Sequence, residues 1–331
     1  MKCSRQRITF LLMCVAAFAA IIPDASVEAE PAYASNGEDA QPRKLRFVFI
    51  TCAVDQAFFG PVKKGMHDAA RMLDLECEFI GTPGVDVPAQ AAMVRQAIAD
   101  GVDGIALNII DPIAFDEVVA EAIASGIPVV AFNVDDFSTP NARLAAVSQQ
   151  IYNAGKSVAE RAMRDIPQRA HVLLTKHDEG VSALDERQRG EQDALKSKSI
   201  RWTTVITGND STNGAEVVAE ALRNHPEIRV VLGSGQSDTE AAGRAVAEHF
   251  ADQGYWAAGF DLSPKTLELI EQGHIRFTVD QQPYAQGFYP VVQLALQRRY
   301  GLAPSSFDPG AAMIDRGNVE QVKRLAAEGY R

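Results

Sequence analysis

The segment Gly235-Gln-Ser-Asp-Thr239 fills four of the five positions of the G-x-S-x-G turn that presents a hydrolase serine, and Asp261 and His274 follow in the chain order such enzymes use. Two features argue against that chemistry. Thr239 stands where the sharp elbow needs a glycine. His274 falls in "QGHIRF", between a helix end and a strand start, whereas Ser237 follows a strand, so a strand of roughly 15–20 Å separates them, beyond any hydrogen bond. The six histidines, His67, His171, His177, His225, His249 and His274, include no i, i+4 pair and no H-E-x-x-H, so no metal is expected. Neither a G-x-x-x-x-G-K-[ST] loop nor a G-x-G-x-x-G after a strand is present, and no cofactor is expected. With no activated nucleophile, the residues read as a binding protein without catalysis.

A second set of residues has binding chemistry. "TCAVDQAFF", "NIIDP", "FNVDDF", "TKHDEGVS", "TGNDST", "GSGQSDT", "GFDLSP" and "VDQQP" each follow an apolar run, and all are rich in Asp, Asn, Gln, Ser or Thr. In a parallel sheet every C-terminal strand end opens on one edge, and ligands bind there. Asp238, Ser263 and Thr212 also suit helix caps. Capping does not account for Asp135 beside Asp136, or for Gln281 beside Gln282.

The elements that must position these loops alternate. "LRFVFI", "LECEFI", "DGIAL" and "IPVVAF" are continuous apolar strands. Helical segments separate them, such as "DPIAFDEVVAEAIASG", where Phe115, Val118, Val119, Ala122 and Ile123 share one face. The pattern restarts after residue 150 with "HVLLT", "WTTVIT", "IRVVLG", "YWAAGF" and "HIRFTV", and the helix "YAQGFYPVVQLALQRRY" closes the series. Strands without alternation belong to parallel sheets covered on both faces. The expected fold is therefore α/β, with two doubly wound parallel-sheet lobes.

Composition narrows the function further. The 331-residue chain is 47% hydrophobic, enough for ordinary cores, and its formal charge of −11 argues against a nucleic-acid partner. "MKCSRQR" followed by "ITFLLMCVAAFAAII" reads as a cleaved signal peptide over residues 1–29, with "VEA" as a cleavage candidate and "AYA" as a second. Residues 30–43 read as a disordered lead-in. Export is expected. Of four cysteines only Cys52 and Cys77 remain after cleavage. They sit on neighbouring strands offset by roughly 13 Å, too far to bridge.

The segments "VDQAFFGPVKKGMHDAA", "DGVDGIALNIIDP", "GIPVVAFNVDD", "NAGKSVAE", "DERQRGEQDAL" and "GFDLSPKTLELIEQGHIRFTVDQQPYAQGF" together resemble the ribose- and galactose-type periplasmic sugar-binding proteins of ABC transporters, over about residues 44–320. The resemblance implies a periplasmic location and a multi-strand hinge, with chain crossings near Gln149–Gln150, Thr278–Gln281 and Pro309–Ile314, an N-terminal lobe of residues 44–148 plus 281–309, a C-terminal lobe of residues 149–280 plus 310–331 and a ligand cleft between them. It also implies a carbohydrate or polyol gripped in that cleft without chemistry, hinge closure, an ABC permease as membrane partner and a monomeric state. By the same resemblance Phe58 and Phe59 take the place of the family's stacking aromatics. Adjacent helical residues point about 100° apart, so one buried stripe does not take both. Asp55 and Gln56 match polar residues of the first loop, and Arg187 matches an arginine that donates to sugar oxygens. Ser237 or Asp238 matches a loop that usually contributes an Asn. Asp261 and Gln281 match a hydroxyl-binding pair. Asn133 and Val134 stand where the ribose type has Asp and Arg, with Asp135 or Asp136 as substitutes. The family's calcium loop is not visible in the sequence. Two rivals share the fold: a periplasmic sugar receptor for chemotaxis or a sensor kinase, and the effector-binding half of a lac-repressor-type regulator. The export signal and acidic charge disfavour the second.

Overall fold

The computed structural model describes residues 43–331, apart from residues 112 and 136–140. The expected signal peptide, all but the last residue of the lead-in, and Asp136 lie outside the described residues.

The chain first lays down β1 (Arg46–Thr51), α1 (Phe59–Met72), β2 (Glu76–Gly81), α2 (Val87–Ala99), β3 (Gly104–Leu107), α3 (Asp116–Ala124), β4 (Val129–Asn133) and β5 (Ala145–Ser148). These strands form a parallel sheet in the order β2-β1-β3-β4-β5. Alternation along β1 sorts its side chains by face. Phe47 and Phe49 enter one core with Phe59, Met66 and Phe132, while Val48 and Ile50 enter the other with Val94 and Val118. Both faces are thus buried, as unbroken apolar strands require.

A second sheet follows from α4 (Ile151–Ala162), β6 (His171–Lys176), α5 (Ser182–Lys196), β7 (Arg201–Ile206), α6 (Ser211–Asn224), β8 (Val230–Gly233), α7 (Gln236–His249), β9 (Trp256–Phe260), α8 (Pro264–Gln272) and β10 (Ile275–Asp280). With β11 (Ala312–Asp315) at one edge, its order is β11-β10-β9-β8-β6-β7. Again the two faces bury separate clusters, one around Leu173 and Val231, the other around Leu174 and Leu232.

The two expected series are present. The structure adds three elements. β5 is four small residues, and β11 (Ala312–Asp315) is a short antiparallel edge strand on β10. α10 (Val319–Ala327) packs on α8. Also, α3 starts later than the periodicity of 111–126 suggests. The Asp111 carboxylate accepts the amides of Ile113 and Ala114, which holds the chain in a turn first.

Three segments pass between the sheets. β5 ends at Ser148 and α4 begins at Ile151; β10 ends at Asp280 and α9 (Pro283–Tyr300) returns to pack on α1 and β4. Phe307 then bridges to Val147 of the first sheet before β11 joins the second. Glutamines tie the segments together. Gln149 Nε2 donates to the Gly310 carbonyl at 3.0 Å, and Gln282 donates to the Pro309 carbonyl. α9 meets α1 backbone to backbone, because a Cβ on Gly287 would lie 1.9 Å from the Val62 oxygen.

Cys52 and Cys77 are both free thiols. Cys77 pairs in register with Phe47, five residues before Cys52. Burial pushes the Cys52 thiol up to about 11 and that of Cys77 up to about 12.

Candidate functional site

The strand orders reverse between β1 and β3 in the first sheet and between β6 and β8 in the second. Crevices open at such switch points. The residues that follow these strands build the site.

On the second sheet α5 supplies Arg187. Its backbone is pressed against α4, since a Cβ on Gly155 would lie 2.0 Å from the Arg187 oxygen, and one on Gly190 would lie 2.1 Å from that of Tyr152. Larger residues there would force the two helices apart. The guanidinium lies 4.1 Å above the Phe260 ring. Nη1 donates to the Ser234 carbonyl at 2.8 Å and Nη2 to Gln149 Oε1 at 3.2 Å, with Asp261 Oδ2 at 3.8 Å from Nη1. Nε makes no hydrogen bond among the described residues. Only 5% of Arg187 is exposed. Burial lowers its pKa from the ordinary value, and the charges of Asp261, Asp238 and Glu191 oppose that. Asp261 is held in the left-handed region at φ 67°. Burial raises its carboxyl, and Arg187 and Gln281 counter the rise.

Gln281 donates to Asp261 Oδ1 at 2.6 Å. From there a chain of amides runs into the first sheet. Gln286 donates to the Gln281 carbonyl (2.8 Å) and accepts from Asn133 (3.1 Å); Asn133 accepts from Asn108 (3.2 Å); Asn108 donates to Thr51 Oγ1 (2.9 Å). Asn133 adopts φ 62°, a backbone position Asn tolerates better than most residues. The thread links buried groups at the ends of β1, β3 and β4 to those at the ends of β9 and β10. A further bond joins the lobes elsewhere: Ser182 Oγ donates to the Ile110 carbonyl at 2.8 Å.

A cavity of about 40 Å³ lies against this network, lined among others by Phe58, Pro61, Gln236, Asp261 and Gln281. A larger recess of about 700 Å³ adjoins it along Ala57, Pro61, Gln236, Leu262 and Arg331, and takes in Gln56, Ser237 and Glu240. The tail after α10 closes one side. Arg331 Nη1 is 2.9 Å from the buried Asp280 carboxylate, and the Tyr330 ring lies 5.1 Å from that of Tyr284 and under Lys64 Nζ at 4.7 Å.

The twelve candidate residues distribute unevenly. Arg187, Asp261 and Gln281 form one contiguous group, with Phe58 beside the last two on the small cavity. Asn133 reaches that group through Gln286. Phe59 is 5% exposed and packs 5.6 Å from Phe79 in the core, so of the two rings Phe58 is the one at the cavity. Asp238 is fully buried and accepts from Thr175 Oγ1 (3.0 Å), Ser234 N (2.7 Å) and His177 Nδ1 (2.9 Å), which braces the loop under Arg187. Asp135 is buried in an ion pair with Arg143. Gln56 and Ser237 line the larger recess, and Asp55 is exposed on the loop after β1. Sequence reasoning missed Gln286, Asn108, Ser234 and Arg331 as members. Asn108 stood in a loop already singled out, "NIIDP". Gln286 and Arg331 carry no local signal, since their bonds to Asn133 and Asp280 span 153 and 51 residues.

Residues 47–299 match the profile of the periplasmic binding protein domain family. The xylose/arabinose-binding protein XylF of Sulfolobus acidocaldarius is 29% identical over 290 residues, 83% of this chain and 72% of that protein. A carbohydrate transporter from Acidothermus cellulolyticus 11B, solved in complex with myo-inositol, superposes with a TM-score of 0.77 at 28% identity, covering 87% of this chain and 100% of its own. A solute-binding protein from Burkholderia graminis C4D1M in complex with D-arabinose shares the fold, with a TM-score of 0.75 at 24% identity over 85% of this chain and 98% of its own.

Proposed function

The chain belongs to the periplasmic binding protein domain family, and from that membership we propose that it binds a monosaccharide or related polyol between its lobes, as the solute-binding component of a carbohydrate ABC importer. The observation that carries the reading is the buried Arg187–Asp261–Gln281 group set beside the Phe58 ring on one cavity. A sugar has an apolar C–H face and a rim of hydroxyls. The ring covers the face, at about 25 cal/mol per Å² of apolar surface removed from water. Arg187 donates to sugar oxygens, Asp261 accepts from hydroxyls, and Gln281 does both. All three are held by protein partners, so little ordering cost remains at binding. A sugar lacking one hydroxyl leaves one of these buried groups unpaired, at about 1–3 kcal/mol. The sugar is released unaltered, for no group here is an activated nucleophile.

Opening of the lobes admits the solute, and its contacts to both favour the closed form. The moving bodies are residues 44–148 plus 281–309 and residues 149–280 plus 310–331. They rotate about the three crossings that Gln149 and Gln282 tie together. The exported, mature protein presents this closed face to a permease.

A thermal-shift screen of pentoses, hexoses, polyols, cyclitols and amino sugars, followed by titration calorimetry, tests the reading. One class raises Tm and binds with a dissociation constant near micromolar, about −8 kcal/mol. Binding of no saccharide or cyclitol, or chemical turnover of one, overturns it.

A further inference from the structure

No local metal motif exists in the sequence, yet the fold gathers one from separate elements. His171 opens β6, at the edge of the second sheet opposite the cleft. His225 caps the C-terminus of α6, and Glu227 follows two residues later. The turn carrying both is closed by a hydrogen bond that the Ile228 amide donates to the His225 carbonyl at 2.9 Å, with Pro226 fixing its first corner. His171 Nδ1 lies 2.8 Å and His225 Nδ1 3.8 Å from the same Glu227 oxygen. One ligand atom from each of the three residues falls within 4.8 Å of the others.

We propose that His171, His225 and Glu227 form a binding site for a divalent cation of the zinc class, with water completing the coordination. Two imidazoles and a carboxylate are the donor set of borderline cations, not of calcium or magnesium, which take oxygens. Ligand atoms around a tetrahedral zinc stand about 3.3 Å apart, given bonds of about 2.0–2.1 Å. The two measured separations bracket that edge. The Thr203 hydroxyl sits 3.0 Å from His171 Nε2. In the tautomer in which that hydroxyl accepts the Nε2 proton, the Nδ1 lone pair faces Glu227, where a cation would sit, as with the outer partners of metal-bound histidines. The His171 side chain is 9% exposed, so its position is set by packing, while His225 and Glu227 leave an open approach. The ion would tie the start of β6 to the turn before β8, far from the solute.

Untagged protein stripped with EDTA and titrated with ZnCl2 by calorimetry, and with CoCl2 by visible absorption, tests this. One ion per chain binds near micromolar, cobalt gives the d–d absorption of a four-coordinate site, and zinc raises Tm until EDTA reverses it. His171→Gln, His225→Gln and Glu227→Gln each weaken binding at least tenfold, whereas His67→Gln leaves it unchanged. The half-exposed His225 keeps the test decisive if His171→Gln folds poorly. Affinity for the solute stays the same in His225→Gln, which separates this site from the cleft. Absence of saturable zinc binding, or equal binding by His225→Gln and Glu227→Gln, overturns the proposal.

Discussion

The two lobes bring unlike chemistry to the proposed cleft. The first brings neutral amides and a hydroxyl, Asn133, Asn108 and Thr51, together with the Phe58 ring. The second brings buried charge: Arg187, Asp261 and Asp238 around one another. Isolated buried charges are expensive and must be paired before a ligand arrives. The second lobe does that by packing α4 on α5 through Gly155 and by fixing Arg187 over Phe260. The neutral side needs no such bracing, and so it can offer an aromatic surface next to an exposed loop. On the proposed reading, the second lobe holds the sugar's hydroxyls rigidly and the first covers its apolar face.

That division is tested most severely at Arg187. Arg187→Ala leaves Asp261 without its cation, so stability falls by about 3–5 kcal/mol, and solute affinity falls at least a hundredfold. Urea denaturation and calorimetry read the two, and retained affinity would place the reader elsewhere. Next come the paired rings of the covering lobe. Phe59→Ala empties a core position and costs about 3 kcal/mol of stability. Phe58→Ala costs little stability but about tenfold in affinity, about 1.4 kcal/mol. Equal behaviour of the two would erase the distinction between core and cover. A smaller effect comes from Glu191, buried with both oxygens lacking a hydrogen bond among the described residues. Burial, and then Asp238, raise its pKa well above the usual carboxylate value. The native state therefore keeps a proton that the unfolded chain loses near pH 4.3, about the free Glu value. The stability it contributes is complete below that pH and is lost as pH rises through the raised value. Against wild type, Glu191→Gln should gain relative stability as pH climbs, in denaturation curves taken from pH 4 to pH 8. A constant difference would mean that Glu191 is ionised throughout. The smallest change is at the seam. Ser182→Ala removes the bond to Ile110 and should weaken affinity less than fivefold, below about 1 kcal/mol, chiefly through faster solute release in stopped-flow traces.

Much of this fold was legible because buried parallel strands and amphipathic helices write strong patterns. β5 and β11 escaped because four residues such as "AAVS" or "AMID" bury too little to form a recognisable run. α10 has its apolar spacing at Val319 and Val322, but it follows a stretch that reads as loop. At the site, resemblance pointed to Arg187, Asp261 and Gln281, and the structure joins them. Phe58 and Phe59 could not be told apart by position alone, since only packing against Phe79 decides which ring turns inward. Asp238 looked like a cap or a contact. It is saturated by Thr175, Ser234 and His177, partners that no spacing rule connects. The histidine cluster escaped for the same reason, as its members lie 54 or more residues apart in all but one pair.

The two cysteines of the described chain bear on how motion in this molecule can be watched. Maleimides and disulfide reagents attack thiolates, and thiols pushed up to about 11 and about 12 hold almost none at neutral pH. A cysteine introduced on the exposed face of each lobe would then take a fluorophore pair while Cys52 and Cys77 stay dark, with no need to delete either.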